Sequence, residues 1–282
     1  FVLALLAMFD PGDKIVMMTP YYPAYVNAIK ALNLDIIFID GEIDTGYQPT
    51  EDKLQKVKNN IKGIVVASPA NPTGSSLKNS TLKQIAKWCM KNNKVIICDE
   101  IYHGIEYVQK SNTILRYNKD AIIINSFSKY FCMTGWRLGW IIAPKNIINV
   151  IEKLSMSLFL CPSTIAQIIA TKAFDDYDIL NQNVSIYGKN RELLINFFED
   201  KGLNKYAPAD GAFYLYIDIS NISNNSDSLA NRLLTEIGVS VTSGKDFDYK
   251  FGEKFIRISY GGSNKSVIEA IKRIGSWIKL KN

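Results

Sequence analysis

The sequence predicts an α/β fold in which helices sandwich a mostly parallel sheet, followed by a smaller α+β domain. Five short apolar runs predict the strands of that sheet, over residues 15–18, 36–39, 64–67, 95–98 and 121–124. The runs are rich in β-branched residues and lack polar alternation, which is typical of strands buried on both faces of a parallel sheet. Segments with helical spacing separate them, such as Tyr25, Ile29 and Leu32. This alternation predicts helices on both faces of one sheet.

The pattern changes from about residue 185. Here the sequence predicts a helix over residues 191–200, a strand over 211–218, a helix over 228–236 and a strand over 255–260. A closing helix follows, because apolar side chains form one stripe at Val267, Ile268, Ile271, Ile274 and Ile278. We therefore predict a large domain over residues 1–185, with its N-terminal part missing, and a small α+β domain over residues 186–282.

The first nine residues are apolar but too few to span a bilayer, and no basic residues precede them as in a signal peptide. They predict a helix entered midway, which the turn at residues 10–13 ends. We therefore expect an upstream segment, and any organellar targeting signal would lie there.

Composition favours a soluble enzyme without nucleic-acid or membrane partners. Hydrophobic residues make up 47% of the chain and charged residues 21%, a balance that excludes wholesale disorder. The net charge is +6, but the lysines are scattered and form no basic stripe with interleaved aromatic residues.

Histidine and cysteine usage narrows the chemistry. His103 is the only histidine, which excludes multi-histidine metal sites, and we expect it to be structural. The four cysteines show no C-x-x-C spacing and have apolar neighbours in sequence, as buried thiols do; they are Cys89, Cys98, Cys132 and Cys161. The sequence therefore predicts a reducing, cytoplasmic compartment and no metal.

Polar residues follow four of the apolar runs, where open parallel sheets bind ligands. These segments are residues 19–25, 68–74, 99–102 and 126–129. Taken singly, each has an ordinary explanation: Asn-Pro-x-Gly is usually a turn, an acid after a strand often caps a helix, and a loop lysine is normally solvated. Their joint occurrence predicts one ligand site.

The sequence resembles the class I and II aminotransferases of pyridoxal-phosphate fold type I, the aspartate aminotransferase superfamily. Six motifs match in order and cover nearly the whole chain: NPTG at 71–74, DEIY at 99–102, SFSK at 126–129, MTGWRLG at 133–139, GAFY at 211–214 and FIRIS at 255–259. The resemblance implies a homodimeric enzyme that uses pyridoxal 5'-phosphate, here in an N-terminally truncated form.

Lys129 is implied as the catalytic lysine, which forms the internal aldimine with the cofactor and then moves the substrate's α-proton. A free lysine, with a pKa of about 10.4, would be protonated at neutral pH, so burial beside a cationic ring must lower this pKa. Asp99 is implied as the carboxylate that keeps the pyridine nitrogen protonated.

The resemblance also implies the remaining cofactor contacts. Asn71 and Tyr102 would hydrogen-bond the phenolic oxygen of the ring, and Tyr22 would stack on its face. Ser126 and Arg137 would bind the phosphate, for which a guanidinium fork is well suited.

Arg257 is expected to bind the substrate. It lies in the last predicted strand, on the face opposite Ile256 and Ile258, where an arginine without an anionic partner would be unusual. The resemblance places the substrate's α-carboxylate there, with Asn71 beside it.

The reaction implied is transfer of an amino group from an L-amino acid to a 2-oxo acid. Residues 155–164 contain no arginine where dicarboxylate-specific members of one subgroup carry theirs, which weakens aspartate as the substrate. Two alternatives stay open: a fold type I lyase, either carbon-sulfur or aminocyclopropane-forming, and the aminotransferase-like sensor domain of a transcription regulator.

The family's phosphate-binding glycine and serine or threonine turn would precede residue 1. We therefore expect an incomplete active site in the 282-residue chain, with weak cofactor binding.

Overall fold

The computed structural model describes residues 1–279, and a six-stranded sheet forms its larger part. The strands are β1 (Lys14–Thr19), β2 (Asp35–Asp40), β3 (Gly63–Ala67), β4 (Val95–Asp99), β5 (Ile122–Ser126) and β6 (Gly139–Ile142). Their order is β2-β1-β3-β4-β5-β6, and every neighbouring pair is parallel except β5 with β6. The mostly parallel sheet predicted from the five apolar runs is confirmed. The sequence did not indicate β6.

Helices cover both faces of this sheet. Its helices are α1 (Val2–Met8), α2 (Pro23–Ala31), α3 (Glu51–Val57), α4 (Asn79–Lys91), α5 (Lys145–Leu158) and α6 (Thr164–Lys172). Alternate residues of β1 divide between two cores, because Ile15 packs with α1 and α2 while Val16 packs with α3 and α4. Strands buried from both sides need no polar alternation, which explains the continuous apolar runs.

The C-terminal part has a separate antiparallel sheet in the order β7-β9-β8. Its elements are α7 (Tyr177–Glu199), β7 (Tyr214–Asp218), α8 (Ser226–Ile237), β8 (Thr242–Ser243), β9 (Phe255–Ser259) and α9 (Asn264–Lys279). Side chains of β7, β9 and the three helices share one core. The α+β architecture is confirmed. The boundary between residues 185 and 186 falls inside the 23-residue helix α7 and stays a prediction.

The two sheets meet where the loop after β3 contacts the segment before β7. The amide of Gly211 donates to the carbonyl oxygen of Gly74 at 2.8 Å. Gly74 has a φ of +63°, and a Cβ atom there would lie 2.7 Å from the carbonyl oxygen of Gly211. Only glycine therefore permits this close approach.

The cysteine prediction is wrong for two of the four thiols. Cys89 and Cys98 are buried, but Cys132 and Cys161 are exposed, and all four are free. Cys132 lies in the turn after Lys129, where apolar neighbours in sequence do not imply burial.

Residues 1–279 contain neither a helix suited to span a membrane nor a cluster of metal-binding side chains. No helix there has the length and apolar character needed to cross a membrane. The same residues hold no cluster of three or more histidine, cysteine or acidic side chains that could bind a metal ion.

We predict that Gly74→Ala destabilises the protein more than Gly12→Ala. Both glycines have positive φ, but nothing lies within 4 Å of a Cβ built on Gly12. Gly12→Ala should therefore cost only the left-handed strain, about 1 kcal/mol. Gly74→Ala adds a clash with backbone atoms, which should cost about 1–3 kcal/mol more. Urea unfolding of both variants measures the difference, and equal costs would contradict the close approach.

Candidate active site

The site residues predicted from the sequence converge at the carboxyl edge of the large sheet. Asp99 ends β4, Ser126 ends β5, and Asn71 lies in the loop after β3. Tyr22 lies between β1 and α2, directly before the helix. Arg257 reaches the same place from β9, so the site lies between the two sheets.

Asp99 is a carboxyl group held at the bottom of the site. It is 8% exposed, and it accepts hydrogen bonds from the hydroxyl of Tyr25 and from the amide of Ile101, the latter at 3.0 Å. Burial raises the pKa of Asp99, while the two hydrogen bonds, the N-terminal ammonium of Phe1 and the Lys129 ammonium oppose that rise. A cation beside this carboxyl would favour its ionised form.

Lys129 provides an amine with a lowered pKa. Burial is the largest cause of this lowered pKa, and the charges of Arg257 and Arg137 add to it while Asp99 opposes them. Its Nζ atom lies 5.8 Å from the ring centroid of Tyr102 and 5.9 Å from that of Phe213. Within residues 1–279 it has no hydrogen-bond or ion-pair partner, so the amine is free to react.

Tyr102 forms a buried pair with Tyr214. Their hydroxyl oxygens are 3.0 Å apart, and the two rings meet edge to face with centroids 5.8 Å apart. Burial raises the pKa of both phenols, so both stay protonated at neutral pH.

Arg257 presents a guanidinium held by four neighbours. It donates to Asn71 Oδ1 at 2.8 Å and to Thr242 Oγ1 at 3.1 Å. The rings of Tyr214 and Phe247 lie 4.4 and 4.7 Å from its Cζ atom. Its Nε atom is buried without a hydrogen-bond partner, and the described chain supplies no carboxylate within ion-pairing distance. The group therefore has unused capacity for an anion.

The predicted phosphate ligands lie near the junction of two paired strands: Ser126 is the last residue of β5, and Arg137 comes two residues before β6. The Ser126 hydroxyl lies 2.9 Å from Ser128 Oγ and 3.0 Å from the carbonyl oxygen of Leu138. Arg137 is exposed, donates to the carbonyl oxygen of Thr134 at 2.9 Å, and has a φ of 54°, which is unusual outside glycine. Its charge lowers the pKa of Lys129, so Arg137 belongs to the same electrostatic environment.

Tyr22 is 41% exposed, and its ring meets Tyr25 edge to face with centroids 5.4 Å apart. Within the described residues, Tyr25 is the only aromatic residue that contacts the Tyr22 ring. Tyr22 is therefore available to stack on a ligand.

His103 lies outside this group of residues. Its Nδ1 atom is 3.5 Å from Glu100 Oε2, and burial lowers the pKa of the imidazole to about 4, so the ring is neutral at neutral pH. Burial raises the pKa of Glu100 to about 7. The structural role of His103 stays a prediction.

Four residues of the site were not predicted from the sequence. Tyr25 supports Asp99, Tyr214 supports Tyr102 and Arg257, and Thr242 and Phe247 complete the surroundings of Arg257. Tyr25 has the spacing of a helix core residue, and Tyr214 lies in a matched motif without an implied role. Thr242 and Phe247 become site residues only through the pairing of β8 with β9 and the turn that follows.

The donor set fits the cofactor implied by the resemblance. The site contains a buried carboxyl (Asp99), an amine with a lowered pKa (Lys129) and a phenol (Tyr102). A protonated ring nitrogen beside Asp99 would supply the positive charge that balances this carboxylate. An arginine with an unused donor lies opposite, where an amino acid's carboxylate could bind.

The chain is similar to known aminotransferases along nearly its whole length. Residues 1–274 match the family model for aminotransferase class I and II. The valine–pyruvate aminotransferase of Mycobacterium tuberculosis is 39% identical over 282 residues, which cover 99% of this chain and 73% of the relative. The aspartate aminotransferase of Pyrococcus abyssi is 30% identical over 289 residues, which cover 100% of this chain and 74% of the relative. A crystal structure of an aminotransferase from Mycobacterium tuberculosis superimposes with a TM-score of 0.95 at 39% identity, covering 98% of this chain and 72% of that one.

We predict that Arg257→Gln raises the pKa of Lys129, because it removes a neighbouring positive charge that disfavours the ammonium form. The pH dependence of Lys129 acylation in cofactor-free protein, followed by mass spectrometry of its peptide, measures this pKa. Arg273→Gln is the control, since Arg273 is exposed on α9 and pairs with Glu269 at 2.8 Å. An unchanged or lowered pKa in Arg257→Gln would show that the two cations do not interact.

Proposed function

Since this chain belongs to the aminotransferase class I and II family and is a transaminase of fold type I, we propose that it works with pyridoxal 5'-phosphate held by Lys129. It moves the amino group of an amino acid to a 2-oxo acid. The observation that carries the proposal is the convergence of three groups at one edge of the large sheet. They are the buried carboxyl of Asp99, the Lys129 amine, whose Nζ atom lies 5.8 Å from the Tyr102 ring, and the Arg257 guanidinium, which binds Asn71. The bound cofactor supplies an electron sink for the carbanion left when the α-proton departs.

In this proposal Asp99 holds a proton on the ring nitrogen. The buried carboxylate and the protonated nitrogen stabilise each other, because each charge alone would be costly at this depth. Tyr25 fixes the carboxylate by donating to Oδ2, while the Ile101 amide donates to Oδ1. Both oxygens are thus oriented before the cofactor arrives.

Lys129 carries the cofactor and then acts as the base that takes the α-proton. Its amine must be unprotonated for both tasks, which burial and the two neighbouring arginines favour. Tyr102 and Asn71 hold the phenolic oxygen of the ring, and Tyr22 covers the ring face.

The phosphate and the substrate carboxylate bind to different arginines. Ser126 and Arg137 hold the phosphate through a hydroxyl and a guanidinium. Arg257 and Asn71 hold the α-carboxylate, because each terminal nitrogen of the guanidinium has a second N–H beyond those that bind Asn71 and Thr242. These two anchors fix the amino acid so that its α-proton faces the lysine.

The lyase and sensor-domain alternatives are not favoured, because the relatives matched along nearly the whole chain bear aminotransferase names. For the substrate we propose valine with pyruvate, by analogy with the relative that is 39% identical. The aromatic surroundings of Arg257 support an apolar side chain. In this proposal Arg257 binds the α-carboxylate and Arg137 binds the phosphate, so neither is left for a second carboxylate on the substrate.

The proposal includes a homodimer in the cytoplasm. Large apolar side chains stay exposed on α5, α6 and the turn between them, namely Met156, Leu158, Phe159, Leu160, Ile165 and Ile168. Such a surface is suited to burial against a second subunit. The cytoplasmic location is supported by the free thiols of all four cysteines.

We predict that Lys129→Ala abolishes both transfer and the visible absorbance that the protein keeps after incubation with pyridoxal phosphate and removal of the unbound cofactor. The reason is that no other amine of the site could hold the aldehyde. Transfer is measured as alanine formed from valine and pyruvate, with one 2-oxo acid released per alanine. The control is Lys189→Ala on the exposed face of α7, which should leave both signals unchanged. Retained absorbance in Lys129→Ala would remove the central assignment.

The same assay tests the substrate. Aspartate in place of valine should react at least about tenfold more slowly, because a distal carboxylate would be desolvated without a partner. Faster reaction with aspartate would overturn the substrate proposal and leave the transaminase assignment unaffected.

A further inference from the structure

Tyr214, the first residue of β7, contacts both halves of the proposed site. Its hydroxyl pairs with Tyr102, the proposed cofactor ligand, at 3.0 Å. Its ring lies 4.4 Å from the guanidinium carbon of Arg257, the proposed carboxylate ligand. Tyr214 is 6% exposed and Tyr102 is 4% exposed, so water competes weakly with these contacts.

Binding of the cofactor would decide which of the two hydroxyls, that of Tyr102 or that of Tyr214, donates the hydrogen bond between them. Each phenol carries one proton, and either oxygen could donate in the pair as it stands. If the Tyr102 hydroxyl donates its hydrogen bond to the phenolic oxygen of the cofactor, only the Tyr214 hydroxyl can donate the hydrogen bond between the two tyrosines. A phenol that accepts a hydrogen bond becomes a stronger donor itself, because hydrogen bonds in a chain polarise one another.

The ring of Tyr214 acts on Arg257. Tyr214 and Phe247 both lie within cation–π distance of the guanidinium, while Asn71 and Thr242 bind its two terminal nitrogens. The guanidinium is thereby held in one orientation.

We propose that Tyr214 is a positioning residue that supports the cofactor through its hydroxyl and the substrate carboxylate through its ring. This inference rests on the proposed function. The hydroxyl and the ring of Tyr214 then have separate tasks, and two different substitutions can distinguish these tasks. Simple aromatic packing would predict no such separation.

Tyr214→Phe removes the hydroxyl and keeps the ring. Tyr102 then becomes a weaker donor toward the phenolic oxygen, which becomes more basic. The pH midpoint of the visible absorbance change of the cofactor-loaded protein should therefore rise by about half a unit. The KM for the amino acid should stay within about twofold, because the ring still holds Arg257.

Tyr214→Leu removes both the hydroxyl and the ring. The absorbance midpoint should rise as in Tyr214→Phe, and the KM for the amino acid should also rise about tenfold through loss of the cation–π contact. Since a buried aromatic is lost, thermal unfolding confirms that the variant is folded. The isosteric Tyr214→Phe keeps the hydroxyl role testable if Tyr214→Leu does not fold.

Tyr216→Phe is the matched control. Tyr216 lies two residues further along β7 and is also buried, and its hydroxyl has no hydrogen-bond partner among residues 1–279. Removing that hydroxyl should change neither the midpoint nor the KM. An unchanged midpoint in Tyr214→Phe overturns the hydroxyl's role, and an unchanged KM in folded Tyr214→Leu overturns the ring's role. If the unsubstituted protein shows no visible absorbance with pyridoxal phosphate, the proposed function fails first and this inference fails with it.

Discussion

The site depends on a buried carboxyl group whose charge is only partly balanced. Asp99 ends a central strand, where helices shield it from water on both faces of the sheet, and burial raises its pKa. Hydrogen bonds from Tyr25 and Ile101 keep it in place without supplying a full positive charge. A carboxyl in this position is costly to the fold, and its cost falls when a cation binds beside it. The same charge acts on Lys129, which links the two groups on which the proposed chemistry depends.

The second constraint is the close contact between the two sheets. Asn71 and Gly74 lie within one short loop; the first binds Arg257 and the second lies against Gly211. The C-terminal sheet is therefore fixed against the loop that contains Asn71, a proposed cofactor ligand. This arrangement places the proposed carboxylate-binding group opposite Lys129, and it explains why Arg257 affects the pKa of that lysine.

Much of this organisation could be predicted from the sequence, because it follows from local patterns. The parallel strands appear as continuous apolar runs, and the residues at their carboxyl ends gather at one edge for topological reasons. Strand β6 was not predicted, since it is short, begins at Gly139 and lies in the antiparallel direction. The support of Asp99 by Tyr25 was also not predicted, because helical spacing alone describes Tyr25 as a core residue. Thr242 and Phe247 depend on the pairing of distant segments, which a single sequence does not specify.

The most direct test of the account is the protonation state of the pyridine nitrogen, measured by ¹⁵N NMR with labelled pyridoxal phosphate bound to the protein. If Asp99 supplies the balancing charge, the nitrogen resonance will have the position of a protonated ring at neutral pH and will move to that of a neutral ring in Asp99→Asn. A neutral ring nitrogen in the unsubstituted protein would contradict the account, since the buried carboxyl would then have some other purpose.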